Sequence, residues 1–238
     1  MEYYLYIIIS ILILPGLIYG TIAEARVKST FNKFDKVESN SKQTAHEVAR
    51  KLLNEAGLED VEIKQIKGNL TDNYNPKKRV LSLSDSTYNS TSIAAIGVAA
   101  HEVGHAVQHK EKYLPLRLRS FLVPVVNLAT KMFAPLFIIG IIVMVLANTS
   151  VGETLIWISV GFYGGSTLFY LVTLPVEFNA SKRALALLEQ TTLDETEVPI
   201  AKKVLNAAAQ TYVATLIISA LYFLKFFLYI FISIKKEE

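Results

Sequence analysis

The sequence predicts a mainly α-helical membrane bundle that carries a small α+β polar part. Three observations point there. Hydrophobic residues make up 52% of the 238 and mean hydropathy is +0.36, too apolar for an ordinary soluble domain. The apolar residues gather in four runs, each near the ~20 residues that cross a hydrocarbon core. Between the first two runs lies a long polar segment with helical periodicity, short alternating stretches and turn signals.

The first run is about Tyr3–Ile22, with Pro15-Gly16 as a kink signal. A cleaved signal peptide is the rival reading, with Ala23-Glu24-Ala25 as a cleavage-like triplet. Met1-Glu2-Tyr3 lacks the positive charge of such a leader, so an uncleaved anchor is expected. The other runs are about Phe121–Ala147, Leu155–Leu174 and Tyr212–Ile234. Lys225 sits near the centre of the last, where an unpaired charge costs about 3 kcal/mol. A full span and an interfacial or re-entrant helix both stay open for that run. The chain then divides into a transmembrane helix (3–22), a polar region (23–120), a transmembrane hairpin (121–174), polar helices (175–210) and a fourth transmembrane or interfacial helix (211–234).

The polar region reads as folded. Ala45, Val48, Ala49, Leu52, Leu53 and Ala56 recur at helical spacing, with Thr44 and Glu47 as a capping box and Gly57 as the stop. Val61, Ile63 and Ile66 suggest a strand, Asn73-Tyr74-Asn75-Pro76 a turn, and Arg79–Ser84 a second strand. Ile93–Val107 is an almost unbroken apolar helix former.

Charge sets the expected topology. The linker Asn148–Glu153 inside the hairpin has no Lys or Arg. The flanking regions are basic: Lys110, Lys112, Arg117 and Arg119 before it, Lys182, Arg183, Lys202 and Lys203 after it. The positive-inside rule puts those flanks in the cytoplasm and the N-terminus outside. Lys235-Lys236-Glu237-Glu238 is neutral and does not decide. A net charge of +3 gives no sign of nucleic acid as a partner. With no cysteine, a thiolate metal site, a cysteine nucleophile and a disulfide framework are all excluded.

Any transition-metal site must therefore use His and carboxylates, and there are four His. His101-Glu102-Val103-Gly104-His105 puts two imidazoles four residues apart, on one helix face, where both reach one zinc. Glu102 projects beside them as a general base toward a zinc-activated water. Gly104 removes bulk, which suggests a close neighbour: metal, substrate or another helix. His109 lies about 12 Å from His101 along a straight helix, too far to share the metal, and is expected at the rim. His46 starts a similar pentapeptide that ends in Arg50 and is expected on a solvated face.

A catalytic zinc site needs a third protein ligand. Glu177 is the candidate, just after Pro175, which is expected to open a new helix on the same membrane side as His101. A helix-start carboxylate favoured by the dipole is the plainer alternative.

On Leu70–Pro76, Leu81–Ser84, Val98–Ala106 and Leu174–Ser181, the sequence resembles the YugP family of bacterial membrane zinc peptidases. It is more distantly similar to the HtpX and CAAX-prenyl-protease group. The resemblance implies a helical membrane metallopeptidase with a zincin-like, gluzincin-type part, which the charge pattern places at the cytoplasmic face of a bacterial inner membrane. It implies His101, His105 and Glu177 as zinc ligands and Glu102 as the catalytic residue. In the distant group an acidic residue follows the third ligand by four positions, where this chain has Ser181. A hydroxyl orients a ligand imidazole less strongly than a carboxylate does. Related peptidases pair substrate with an edge strand, for which Val80–Ser84 is the candidate. Asn179 and Arg183 lie near Glu177, and no oxyanion-stabilising residue is assigned.

The expected partners are the bilayer and membrane-protein or peptide substrates, with room for an oligomer or a regulator. A catalytically silent metal-binding membrane protein and a non-peptide hydrolase remain as alternatives. A channel is disfavoured, because the runs carry few charged residues, Lys225 among them.

Overall fold

The computed structural model describes residues 2–147 and 149–234, so the neutral Lys235–Glu238 tail lies outside the described residues. In chain order the elements are α1 (Glu2–Phe34), α2 (Ala45–Glu55), β1 (Glu62–Ile66), β2 (Asn73–Asn75), β3 (Val80–Ser84), α3 (Ile93–Lys110), α4 (Leu114–Leu146), α5 (Thr149–Thr191) and α6 (Val198–Ile234). The mainly α architecture and the small sheet agree with the fold class read from the sequence. Helices α1, α4, α5 and α6 are each long and apolar enough to cross a membrane.

The chain forms two compact units. One comprises Met1–Thr21, Leu118–Leu174 and Tyr212–Glu238, taken over the described residues. Its interior is aromatic. Phe133, Tyr163 and Phe226 meet with ring centroids 5.0–5.7 Å apart, and Ile156, Val160 and Ile230 form a buried cluster. Most of its large apolar side chains point outward. Lys225 lies 5.9 Å from the Tyr6 ring, a cation–π approach that helps to keep its charge within an apolar run.

The other unit comprises Ile22–Arg117 and Pro175–Thr211. Helix α2 begins as its sequence dictates. The Thr44 hydroxyl accepts from Glu47 N at 3.3 Å and Glu47 Oε2 accepts from Thr44 N at 2.8 Å, a complete capping box. Gly57, at φ 62°, ends it. Val48, Ala49, Leu52 and Leu53 pack against Ile96, Ala99, Ala100 and Val103 of α3 and against Leu81 and Leu83 of β3. The helical period of α2 and the alternation of β3 thus bury one common core.

Four expectations need correction. The sheet order is β1-β3-β2, with β1 parallel and β2 antiparallel to β3. Val80–Ser84 is therefore the central strand: Leu81 pairs with Ile63 on one side and Tyr74 on the other. From Val80 to Ser82 it is paired on both sides, so it is not the edge strand expected for an extended substrate. Asn73–Asn75 is a strand, not a turn. The turn follows it, where Asn75 Oδ1 accepts from Lys77 N and Lys78 N at 3.0 and 3.1 Å.

Pro175 does not open a helix either. Helix α5 runs through it from Thr149 to Thr191. A proline removes one N–H from the ladder, a defect that long membrane helices tolerate. The linker expected at Asn148–Glu153 is largely the first turn of α5, while Asn148 lies outside the described residues. Ala23-Glu24-Ala25 falls within α1.

Candidate metal centre

Helix α3 is set by a clear start and a buried body. The Ser92 hydroxyl accepts from Ala95 N at 3.1 Å, and Ile93, Ala95, Ile96, Ala99 and Ala100 are fully enclosed. His101 and His105 follow on adjacent turns, with ring centroids 4.8 Å apart and planes at 84°. One nitrogen of each imidazole and a Glu102 carboxylate oxygen lie within 4.8 Å of one another.

Gly104 shows what neighbour its missing side chain admits. A Cβ there would come 2.5 Å from the carbonyl oxygen of Ala180. The segment Pro175–Thr191 of α5 thus lies against α3 backbone to backbone, and of the three neighbours expected, an adjoining helix is the one found. This contact carries Glu177, one turn before Ala180, to the two histidines. Glu177 Oε2 is 3.2 Å from His101 Nε2 and 3.5 Å from His105 Nε2. Only 2% of Glu177 is exposed.

Burial disfavours a His105 cation, but the hydrogen bond to Glu177 and the charges of Glu102 and Glu177 outweigh it. They hold the His105 pKa above its ordinary value. Two carboxylates, Glu102 and Glu177, thus face the two imidazoles.

The donor set fits zinc. Two imidazole nitrogens and one carboxylate are a common catalytic zinc set, and bonds of about 2.0–2.1 Å in a tetrahedron separate ligand atoms by about 3.4 Å. The observed 3.2 and 3.5 Å from Glu177 match that edge.

The far nitrogens of both rings are also engaged. His101 Nδ1 is 3.1 Å from the Ser181 hydroxyl, so the serine that replaces the expected acid still reaches the imidazole. His105 Nδ1 is 3.0 Å from Gln108 Oε1. Sequence reasoning missed Gln108. Its signal was its spacing, three residues after His105 and so on the same helix face.

Asn179 and Arg183 are committed to a polar chain. Arg183 Nε donates to Asn179 Oδ1 at 2.7 Å, and the guanidinium pairs with Glu111 at 2.7 Å. Arg183 holds the Glu111 pKa below its ordinary value. His109 Nδ1 meets the Tyr74 hydroxyl at 3.0 Å. His46 is not simply solvated: it is half-buried and stacks on Tyr88, with centroids 4.6 Å apart and planes at 12°. Tyr88 supplies an aromatic face that an isolated pentapeptide pattern does not reveal.

Residues 8–231 match the family described as "Putative neutral zinc metallopeptidase". The chain belongs to that family. It is 42% identical over 217 residues to "Putative membrane protease YugP" of Bacillus subtilis (strain 168), covering 91% of this chain and 93% of that protein. No solved structure matches it. Membership agrees with the resemblance carried by the His101–His105 and Leu174–Ser181 stretches. With four candidate spans, this family member is a membrane protein.

Proposed function

We propose that the chain is a membrane-embedded, zinc-dependent endopeptidase in which His101, His105 and Glu177 hold the metal and Glu102 is the catalytic base. One observation carries the reading: a single buried oxygen, Glu177 Oε2, faces both imidazole Nε2 atoms while Glu102 stands beside them. Bound zinc supplies Lewis acidity and lowers the pKa of water toward about 7. Glu102 takes a proton from the attacking water on its carboxylate and delivers it to the leaving amine nitrogen as the C–N bond breaks. Its burial beside the histidines keeps that proton out of bulk water.

The test is metal analysis with a protease assay on wild type and Glu102→Gln. Wild type should hold about one zinc per chain, and the variant should keep the metal while losing cleavage by about 10²–10⁴-fold. Full activity in Glu102→Gln would overturn the mechanism. Zinc without turnover in the wild type would point instead to a metal-binding membrane protein.

The four candidate spans and the name of the Bacillus subtilis relative support membrane proteins, or their exposed ends, as substrates. The basic flanks of the hairpin support a cytoplasmic site, with residues 23–120 and 175–210 forming the metallopeptidase part at a bacterial inner membrane. The absence of cysteine makes labelling clean. Ser150→Cys should react with an impermeant thiol reagent on intact cells, and Lys112→Cys only after permeabilisation. The reverse pattern would invert the topology.

A further inference from the structure

Arg183 has an unambiguous role in any hydrogen bond, because a guanidinium only donates. Its Nε lies 2.7 Å from the Asn179 side-chain amide, so the atom facing it is the oxygen. That same oxygen receives Gln108 Nε2 at 2.9 Å. Gln108 Nε2 also donates to the Val176 carbonyl oxygen at 2.8 Å, and a carbonyl only accepts. Both amide hydrogens of Gln108 are thereby used, and its orientation is fixed from two sides. Its Oε1 is left facing His105 Nδ1 at 3.0 Å, and as an acceptor it requires Nδ1 to carry the proton. Gln108 itself is 0% exposed, so water does not compete.

We infer that Gln108 is a positioning residue that keeps a proton on His105 Nδ1, so that Nε2, on the side of Glu177, is the nitrogen left to bind the metal, with Arg183 and Asn179 fixing Gln108 in turn. This rests on the zinc reading above. A ligand imidazole must offer an unprotonated nitrogen to a metal, and a hydrogen bond accepted from its other nitrogen raises its basicity. The same four side chains also bridge α3 to α5, and a purely structural bridge is the rival explanation. His101 is built differently. Its Nδ1 faces the Ser181 hydroxyl, which can donate or accept and so fixes no tautomer.

The two explanations part on substitution. Gln108→Met fills the space and removes the acceptor. Gln108→Glu keeps an acceptor for His105 Nδ1–H but sets its second oxygen against two other oxygens, which harms the bridge. Zinc affinity, read by chelator competition on the full-length protein in detergent, should fall about 10–100-fold in Gln108→Met and be substantially restored in Gln108→Glu. Equal weakening in both, or wild-type affinity in Gln108→Met, overturns the inference. A second measurement needs no variant: ¹⁵N spectra of histidine-labelled, zinc-loaded wild type should show His105 protonated at Nδ1. Coordination through Nδ1 overturns the inference even if the variants fail to fold. A wild type that binds no zinc overturns the metal site itself, whereas zinc bound normally in Gln108→Met overturns the tautomer role alone.

Discussion

Helix α5 is one helix with two kinds of surface. From Thr149 to Leu174 it turns large apolar side chains outward: Leu168 and Leu171 are 51% and 54% exposed. Its buried positions there include small hydroxyls, such as Ser159 and Ser166, which bond to carbonyls of their own helix. From Pro175 to Thr191 the arrangement reverses. Glu177 and Ser181 are buried, Asn179 and Arg183 join a polar chain to α3, and Lys182 and Ala186 face outward. The first half suits a medium without hydrogen bonds, where hydroxyls must find partners within the helix. The second half belongs to the compact unit whose interior holds Glu177 and the two histidines. The change occurs within a turn of Pro175.

The largest effect that would break this contrast is removal of its most buried acid. Glu177→Ala should lose stoichiometric zinc and cleavage together, as should His101→Ala, both read by metal analysis. A variant that keeps its zinc would show that α5 contributes no ligand. Next is a charge on the outward apolar face. Leu171→Asp should cost about 2.5–3.5 kcal/mol if that face meets lipid, while Ala186→Asp, outward on the second half, should stay within about 0.5 kcal/mol. Abundance in the membrane fraction and thermal stability in detergent compare the two. Equal tolerance would remove the distinction between the halves. Gly104→Ala should then destabilise by about 1–3 kcal/mol and loosen zinc, because its Cβ meets the backbone of Ala180 and not a side chain that can rotate away. The smallest effect belongs to Ser181→Ala, with zinc affinity lowered by about 10-fold or less, since a lone hydroxyl supports His101.

The two halves also differ in how far the sequence disclosed them. A run of apolar residues is additive, so hydropathy found the first half without knowledge of its neighbours. The capping box at Thr44 and the alternation of Leu81 and Leu83 were legible for a similar reason, being short-range devices. The His101–His105 pair was visible because both residues sit on one helix. Glu177 was proposed from what zinc requires and from where few carboxylates stand. The supporting groups were much harder to see. Gln108 has meaning only once α3 and α5 are side by side, 68 and 71 residues apart along the chain at Val176 and Asn179. β3 took its central place because Asn73–Asn75, which carries turn residues, pairs with it. Pairing partners decide a strand's place in a sheet, and they are not written in the strand itself.

The approach of Gly104 to Ala180 has a consequence for how this protein can change. Main chain resting on main chain acts as a hard stop. The gap between the histidine pair and the acid opposite is then gauged by peptide units, whose dimensions no mutation alters, and not by the bulk of surrounding leucines. Drift in the neighbouring core can erode stability while the spacing of the donors stays fixed. In this respect the site is insulated from its own scaffold, and the glycine is the residue on which that insulation depends.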